Sequence, residues 1–258
     1  MTSMPEPLLS LQGKKALITG GASGMGRASS LLFSAHGAHV VIVDRNGEAA
    51  QDTAEDIRRA GGTAEAYKVD LLDREALDGF LETFVRDNED LDILFNQAGL
   101  PAPPGFDYDL DSWMSCMTIN LWVPMLLTKR LLPLLRKSSH ASVICTSSIA
   151  GVRAISFFPT YSASKAALIQ YVKSIALLLA PEGIRVNAIC PGATDTPALR
   201  RDIEDGTVRA TIEQIMASVP MKRMGNAEDM ARVALFLASD ASGFMTGTAI
   251  PVDGGATA

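Results

Sequence analysis

The chain has 258 residues, of which 47 % are hydrophobic and 20 % are charged, and its formal net charge is −6. This length and apolar content fit one globular domain with a substantial core and exclude a disordered chain. The acidic balance, with no basic run longer than two residues, argues against nucleic-acid binding. Three widely spaced cysteines without a Cys-x-x-Cys pair indicate buried free thiols and a reducing compartment, so we expect a cytoplasmic protein.

The sequence predicts neither a secretory signal nor a membrane partner. The first eleven residues lack a basic region followed by an apolar stretch. The most apolar helical stretch, residues 121–135, carries Lys129 and Arg130 at its centre and two prolines, which disfavours a membrane span.

Short β-branched runs alternate with helical patterns along the chain. The predicted strands are residues 16–19, 39–43, 64–69, 91–95, 142–146, 185–189 and 248–252. The predicted helices are residues 26–36, 48–60, 74–86, 110–137, 160–180, 207–217 and 227–238. This alternation is typical of a parallel sheet covered by helices on both faces. We therefore predict one doubly wound, Rossmann-like α/β domain over residues 1–258, with ligands at the carboxyl ends of the strands.

The segment between the first strand and the first helix is rich in glycine. Residues 19–26 read Thr-Gly-Gly-Ala-Ser-Gly-Met-Gly. Gly20, Gly24 and Gly26 would permit a tight turn and the close approach of a pyrophosphate, and the helix N-terminus would offer free N–H groups to it. The spacing differs from the general G-x-G-x-x-G pattern, and a glycine cluster alone also fits an ordinary tight turn.

Asp44 ends the second predicted strand, 18 residues after Gly26. This is close to the offset of a carboxylate that accepts hydrogen bonds from an adenosine ribose. A carboxylate there repels a 2′-phosphate, so the sequence predicts NAD as the cofactor rather than NADP. Ser23 precedes Gly24 where a cation could stand, and Arg45 is the nearby cation. The alternative for Asp44 is an ordinary strand-end turn.

Two further strand ends carry candidate cofactor residues. Asp70 follows the third strand and is placed to accept a hydrogen bond from the adenine amino group. Residues 96–99, Asn-Gln-Ala-Gly, follow the fourth strand, and Gly99 would let the chain turn beside the adenosine ribose. Taken singly, each segment also fits an Asx-type turn.

A second constellation suggests proton transfer. Tyr161 and Lys165 are four residues apart on a predicted helix and share one face. The ordinary pKa of a phenol is ~10, and a nearby ammonium favours the phenolate, which can accept an alcohol proton. Ser148 lies 13 residues before Tyr161 and could orient the substrate oxygen, while Asn120 could hold a water that passes protons to Lys165. A lone Tyr-x-x-x-Lys is usually structural, but here it accompanies the glycine-rich loop and Ser148.

Together these segments resemble the single-domain short-chain dehydrogenase/reductase family. The resemblance rests on residues 19–26, 96–99, 147–151 and 161–165 and on Pro191-Gly192, and it extends from about residue 10 to the C-terminus. It implies a catalytic tetrad of Asn120, Ser148, Tyr161 and Lys165.

The resemblance and the strand ends together predict a cofactor site. Its expected residues are Gly20, Ser23, Gly24, Met25, Gly26, Asp44, Arg45, Asp70, Leu71, Asn96, Ala98, Gly99, Tyr161, Lys165, Pro191, Gly192, Thr194 and Thr196. By the resemblance, Thr194 would lie near the nicotinamide carboxamide and Thr196 near the phosphates. Gln97 departs from the family, which has a second Asn there, and Ser147 is a second candidate for the catalytic serine.

Three loops, residues 100–109, 149–158 and 193–223, are expected to form the substrate pocket, the last as a lid. The apolar residues Phe106, Ile155, Phe157 and Phe158 would converge there. No Cys/His cluster has zinc spacing, so no metal site is expected.

The sequence thus predicts an oxidoreductase that moves a hydride between NAD(H) and an apolar secondary alcohol or ketone, cyclic or aromatic. The alternatives are a 3-oxoacyl-thioester reductase, a sugar or polyol dehydrogenase of the same family, and a dinucleotide-binding regulator without turnover. The family pairs the long helix of residues 110–137 between subunits, so the resemblance also implies a homotetramer.

Overall fold

The computed structural model describes residues 8–258, and its described part contains a seven-stranded sheet in the order β3-β2-β1-β4-β5-β6-β7, with every neighbouring pair parallel. The strands are β1 (Lys15–Thr19), β2 (His39–Asp44), β3 (Thr63–Lys68), β4 (Ile93–Asn96), β5 (Ser142–Thr146), β6 (Arg185–Pro191) and β7 (Ala249–Val252). The helices are α1 (Gly24–Ala35), α2 (Gly47–Arg59), α3 (Arg74–Asp87), α4 (Leu110–Met117), α5 (Val123–Leu135), α6 (Pro159–Leu179), α7 (Pro197–Glu204), α8 (Ile212–Ser218) and α9 (Ala227–Ala238). The predicted doubly wound α/β fold is confirmed.

The strand order reverses between β1 and β4. The chain first builds outward from β1 to β3 and then returns to place β4 on the other side of β1. The loops that follow β1 and β4 therefore leave in opposite directions, and a crevice opens between them at the carboxyl ends of the strands. This topology positions the candidate site.

The core lies on both faces of the sheet because consecutive strand residues point to opposite sides. Leu17 belongs to a buried cluster with Leu81 of α3 and Leu131 of α5. The next residue, Ile18, belongs to a second cluster with Phe33 of α1 and with residues of α9. Both strand faces are apolar, which explains the continuous hydrophobic runs in the sequence.

Two predicted helices differ in the structure. The region predicted as one helix over residues 110–137 is divided into α4 and α5 by a π-helical turn at Thr118–Trp122. In the predicted lid, the helix starts at Ile212 rather than 207, and α7 precedes it. The signal for α7 was present in the sequence, since Thr196 caps the helix and Pro197 occupies its first turn.

One segment, Pro159–Glu182, is long and apolar enough to cross a membrane by length and composition alone. It comprises α6, which packs against β6 and buries Leu168, Val172 and Ala176 in the core. A core helix passes the same test, so this feature is weak evidence for a membrane span.

Candidate active site

The glycine-rich turn brings α1 directly onto the end of β1. Gly20 and Gly24 have φ angles of 65° and 49°, which favour glycine. Any side chain at Gly26 would overlap the carbonyl oxygen of Gly20. Ser23, the residue before α1, forms no side-chain cap, so its hydroxyl does not occupy the N–H groups of the first helical turn. The turn therefore offers donors and space to an anion.

A cleft of about 440 Å³ opens beside this turn, at the ends of β1, β2 and β4. Among the residues that line it are these predicted cofactor residues: Gly20, Ser23, Gly24, Met25, Asp44, Arg45, Asp70, Leu71, Ala98, Gly99 and Thr196. The fold thus gathers in one cavity side chains that lie up to 176 positions apart in the sequence.

Asp44 lies where the cleft meets the end of β2. One carboxylate oxygen accepts a hydrogen bond from the backbone N–H of Ala22 in the glycine-rich turn, at 3.2 Å. The other accepts from the N–H of Asn46, at 3.0 Å. Asp44 therefore forms an ordinary turn at the end of β2 and also binds the glycine-rich turn that follows β1. Its carboxylate is partly exposed and faces the cleft. Arg45 is exposed at the same edge.

The side chains of Asn96 and Gln97 lie in different surroundings. The Asn96 side chain is buried, its amide nitrogen contacts the Cys145 sulfur at 3.7 Å, and its oxygen has no partner among the described residues. The prediction that Asn96 contacts the cofactor is thus not supported by its side-chain position. Gln97, which is not among the expected cofactor residues, lines the cleft. Alternation along an extended chain turns adjacent side chains to opposite sides.

Arg201 is also absent from the expected cofactor residues. It projects from the second turn of α7 and lines the cleft near Gly24, without a salt bridge to any described residue. Its neighbour Arg200 instead forms two 2.6 Å hydrogen bonds to Asp195, outside the cleft lining. The helical periodicity of α7 separates the two guanidinium groups.

The two candidate serines have different partners. The Ser147 hydroxyl is buried and donates to the carbonyl oxygen of Lys165 at 2.9 Å, which makes it a link between β5 and α6. The Ser148 hydroxyl accepts from the N–H of Ala150 at 3.1 Å and lies near enough to the Tyr161 phenol to lower its pKa. The geometry favours Ser148 as the serine that faces a reacting group.

Tyr161 and Lys165 share one face of α6, as the spacing predicts. The Lys165 ammonium lies 5.6 Å from the centroid of the Tyr161 ring. Lys165 is 2 % exposed and donates to the carbonyl oxygen of Thr146 at 2.8 Å. Gly99 lines the floor of the cleft, and a Cβ placed on it would lie 3.5 Å from the ammonium nitrogen, so Lys165 lies next to this floor. Ser148, Tyr161 and Lys165 themselves are not among the residues that line the cleft.

Burial dominates the pKa values of this pair. We expected Lys165 to lower the pKa of Tyr161, but the apolar surroundings raise it to about 12, and Ser148 only partly opposes this rise. Tyr161 nevertheless retains some surface accessible from solvent. Burial also lowers the pKa of Lys165 to about 8, because the charged form loses water. Proton transfer by Tyr161 therefore needs a further stabilisation of its phenolate.

The Asn120 side chain makes contacts within the protein, and its role in holding a water that passes protons to Lys165 stays a prediction. Its amide oxygen accepts from the N–H of Leu100 at 2.9 Å, and its amide nitrogen donates to the carbonyl oxygen of Leu100 at 2.9 Å and to the Ser164 hydroxyl at 3.1 Å. These bonds connect the π-helical turn, the loop after β4 and α6. Asn120 therefore positions these elements, and one lone pair of its amide oxygen remains without a donor among the described residues.

The segment after β6 follows the end of the sheet. Gly192 donates to the carbonyl oxygen of Val252 at 3.0 Å and lies too close to Asp253 for a side chain. The buried Thr194 hydroxyl donates back to the Gly192 carbonyl oxygen at 3.0 Å. Thr196 caps α7, and a Cβ placed on Gly24 would lie 3.7 Å from its methyl carbon, so Thr196 lies beside the glycine-rich turn. Thr196 lines the cleft, whereas Pro191, Gly192 and Thr194 are not among the residues that line it.

The predicted substrate loops meet, but not all their apolar residues converge. The N–H of Gly105 donates to the carbonyl oxygen of Phe157 at 2.9 Å, which links residues 100–109 to residues 149–158. Phe157 packs edge-on against Phe158 at 4.7 Å, and Phe158 lies one helical turn before Tyr161. Ile155 is also partly buried, but Phe106 is 89 % exposed. Phe106 is therefore not part of a shared apolar wall in this conformation.

Known proteins resemble this chain over almost its whole length. A family model described as enoyl-(acyl carrier protein) reductase matches residues 20–257. The chain is 37 % identical to 2,5-dichloro-2,5-cyclohexadiene-1,4-diol dehydrogenase LinX of Sphingobium indicum, over 95 % of this chain and 96 % of the relative. It is 34 % identical to 3beta-hydroxysteroid dehydrogenase 1 of Eggerthella lenta, over 96 % and 95 % of the two chains.

A solved structure has the same fold over nearly the whole chain. The RhlG/NADP active-site complex of Pseudomonas aeruginosa superposes with a TM-score of 0.89 and 35 % identity, covering 98 % of this chain and 99 % of that one. The chain belongs to the short-chain dehydrogenase/reductase family. Such proteins are nicotinamide-dependent oxidoreductases, and this chain is an enzyme of that class.

Proposed function

We propose that the protein is an NAD-dependent dehydrogenase/reductase that interconverts a secondary alcohol and its ketone. The observation that carries this proposal is the placement of Tyr161, Ser148 and Lys165 together, with the ammonium at the floor of the cleft beside Gly99. A phenol and a hydroxyl can bind one carbonyl or carbinol oxygen, and the phenol can exchange its proton.

The cleft fits a dinucleotide. A Cβ placed on Gly20 would lie only 3.0 Å from the Ala98 Cα, so the close approach of these two segments requires glycine at position 20. The first turn of α1 is not capped by Ser23, so its N–H groups and helix dipole can hold a pyrophosphate. A bound nicotinamide dinucleotide would supply the hydride acceptor for oxidation and the hydride donor for reduction.

The residues of the chain itself have distinct roles in substrate binding and proton transfer. Ser148 orients the substrate oxygen, and Tyr161 accepts the hydroxyl proton during oxidation or donates a proton during reduction. The Lys165 ammonium favours the phenolate of Tyr161 electrostatically and can donate to a ribose hydroxyl at the cleft floor. Asn120 holds the loop after β4 against α6 and so maintains the spacing of these groups.

We infer a preference for NAD over NADP from Asp44. Its carboxylate faces the cleft at the end of β2, and ribose hydroxyls can donate to it, whereas a 2′-phosphate would be repelled. Arg45 at the same edge favours NADP instead, because a cation there can attract the 2′-phosphate. RhlG was solved as a complex with NADP. A comparison of kcat/KM with the two cofactors decides between them.

We infer that the substrate is apolar and cyclic or aromatic. The Phe157–Phe158 pair lies close to Tyr161 and offers two aromatic surfaces, and relatives include dehydrogenases named for a cyclic diol and a hydroxysteroid. A buried methylene contributes about 0.8 kcal/mol, which corresponds to roughly fourfold in kcat/KM. Polyols would lose hydration without finding partners on such a wall.

The test is a screen of linear, cyclic and aromatic secondary alcohols, with a sugar and a polyol as controls, following the absorbance of the reduced dinucleotide. We expect kcat/KM to rise with apolar size until the pocket is full. A clear preference for the sugar would overturn the apolar assignment and leave the oxidoreductase class intact. Dinucleotide binding without turnover of any alcohol or ketone would favour a regulator.

A 3-oxoacyl-thioester reductase is the second candidate, because the matching family model is described as an acyl-carrier-protein reductase. An acidic carrier needs a basic docking face, and Arg130 is already paired with Asp78 at 2.8 Å. The screen should therefore include a 3-oxoacyl thioester with and without its carrier protein.

We also propose a cytoplasmic homotetramer. Large apolar side chains are exposed on the π-helical turn and on α6, notably Trp122 at 55 % and Leu178 at 69 %. Burying these faces against a second and a third copy of the chain would remove them from water. Light scattering at micromolar concentration measures the state directly.

A further inference from the structure

Gln97 connects three neighbouring strand ends at the centre of the sheet. It follows β4, and its backbone N–H donates to the Thr19 hydroxyl at the end of β1, at 3.1 Å. Its side-chain oxygen accepts from the Thr146 hydroxyl at the end of β5, at 2.5 Å. Since the sheet order here is β1-β4-β5, this one residue joins the carboxyl ends of all three strands.

The bond to Thr146 extends the pairing of β4 with β5 beyond its backbone ladder. The last paired residues of the ladder are Asn96 and Cys145. One position further along, the connection is made by the side chains of Gln97 and Thr146. Thr146 is only 6 % exposed, so the Thr146 end of this bond is shielded from water, and the bond ties the end of β5 to Gln97 at the cleft.

The Thr146 carbonyl oxygen is the acceptor for the Lys165 ammonium, at 2.8 Å. Within residues 8–258, the ammonium makes no other hydrogen bond. Because Lys165 is 2 % exposed, water cannot readily replace that acceptor. The position of the Thr146 carbonyl therefore determines where the ammonium lies relative to Gly99 and the cleft floor.

We propose that Gln97 is a positioning residue for Lys165: through its hydrogen bond to Thr146, it fixes the carbonyl that holds the ammonium at the cleft. The catalytic consequence rests on the proposed function, whereas the structural link can be measured on the protein alone. When Gln97 cannot accept this bond, we expect Thr146 to relax and the hold on the ammonium to weaken.

The first test is the titration of Lys165 by NMR with ¹³C-labelled lysine, without dinucleotide or substrate. Burial already lowers the pKa of Lys165 to about 8, and its one acceptor favours the charged form. We therefore expect Gln97→Met and Thr146→Val to lower the titration midpoint further, by several tenths of a pH unit or more. Thr146→Ser retains the hydroxyl and should restore the wild-type midpoint.

The second test is the pH dependence of kcat/KM for alcohol oxidation. A displaced ammonium stabilises the Tyr161 phenolate less, so the profile of Gln97→Met should move to higher pH, with kcat lower by about tenfold. The double variant with Thr146→Val should lose no more than either single variant, because both remove the same bond. Gln51→Met is the matched control, since the Gln51 side chain bonds, among the described residues, to Glu55 alone on the exposed face of α2.

A purely structural role has a different signature. If Gln97→Met and Thr146→Val lower the melting temperature but leave the Lys165 midpoint and the pH profile unchanged, the proposal is wrong. If the wild-type protein turns over no alcohol or ketone, the proposed function fails. The NMR titration still decides in that case whether Gln97 positions the ammonium.

Discussion

Tyr161 can accept a proton from an alcohol only after it has lost its own, and its surroundings hold that proton strongly. With a pKa of about 12, roughly one phenol in 10⁴ is ionised at pH 8. Each unit by which the pKa falls raises that fraction tenfold. We expect the pKa of Tyr161 to fall by several units when an oxidised dinucleotide binds, because a positive charge then adds to that of Lys165.

The assay has two arms. The ultraviolet absorbance of tyrosinate is titrated with and without NAD, and kcat/KM for alcohol oxidation is measured over the same pH range. Below the lowered pKa, kcat/KM should rise tenfold per pH unit and then reach a plateau. Tyr161→Phe keeps the ring but removes the proton acceptor, so turnover should fall by roughly 10²–10⁴ with dinucleotide affinity retained.

Tyr171→Phe is the matched control. Tyr171 lies on the same helix and has a pKa also raised to about 12 by burial, but it packs against the core away from Ser148. Its substitution should leave the pH profile unchanged. Near-normal turnover of Tyr161→Phe, or a Tyr161 pKa that NAD does not alter in an enzyme active at neutral pH, would refute the reasoning.

Three further variants test the cofactor site and the assembly. Asp44→Asn should lower the ratio of kcat/KM for NAD over NADP by roughly five- to several-hundred-fold, since like charges ~4 Å apart repel by about 1–4 kcal/mol. A wild type that prefers NADP contradicts this. Arg201→Gln should raise the Kd of both dinucleotides, measured by calorimetry, by roughly three- to thirtyfold. Arg200→Gln removes only the pair with Asp195 and should leave the Kd unchanged. Equal effects of the two variants would show that Arg201 does not bind the dinucleotide in the cleft. Leu178→Glu should convert the tetramer to a smaller species in light scattering, and a monomeric wild type would exclude the proposed interface.

Local sequence patterns were sufficient for the fold and for the reacting pair. Alternating apolar runs and helical periods predicted the parallel sheet, because both patterns reflect which faces are buried. Tyr161 and Lys165 could be placed together from their spacing alone, since four residues on a helix define one face. The glycines of residues 19–26 similarly indicated a tight turn that the φ angles of Gly20 and Gly24 now display.

The tertiary structure decided what depends on contacts between distant segments. Asn96 and Gln97 are adjacent in the chain, but only the packing of β4 between β1 and β5 determines which one faces the cleft. The partners of Asn120 lie on the loop after β4 and on α6, so the hydrogen bonds of its side-chain amide could not be predicted from its own helix. Burial raised the pKa of Tyr161 against expectation and lowered that of Lys165, because desolvation sums over every neighbouring element, whereas the sequence shows only the nearest charge.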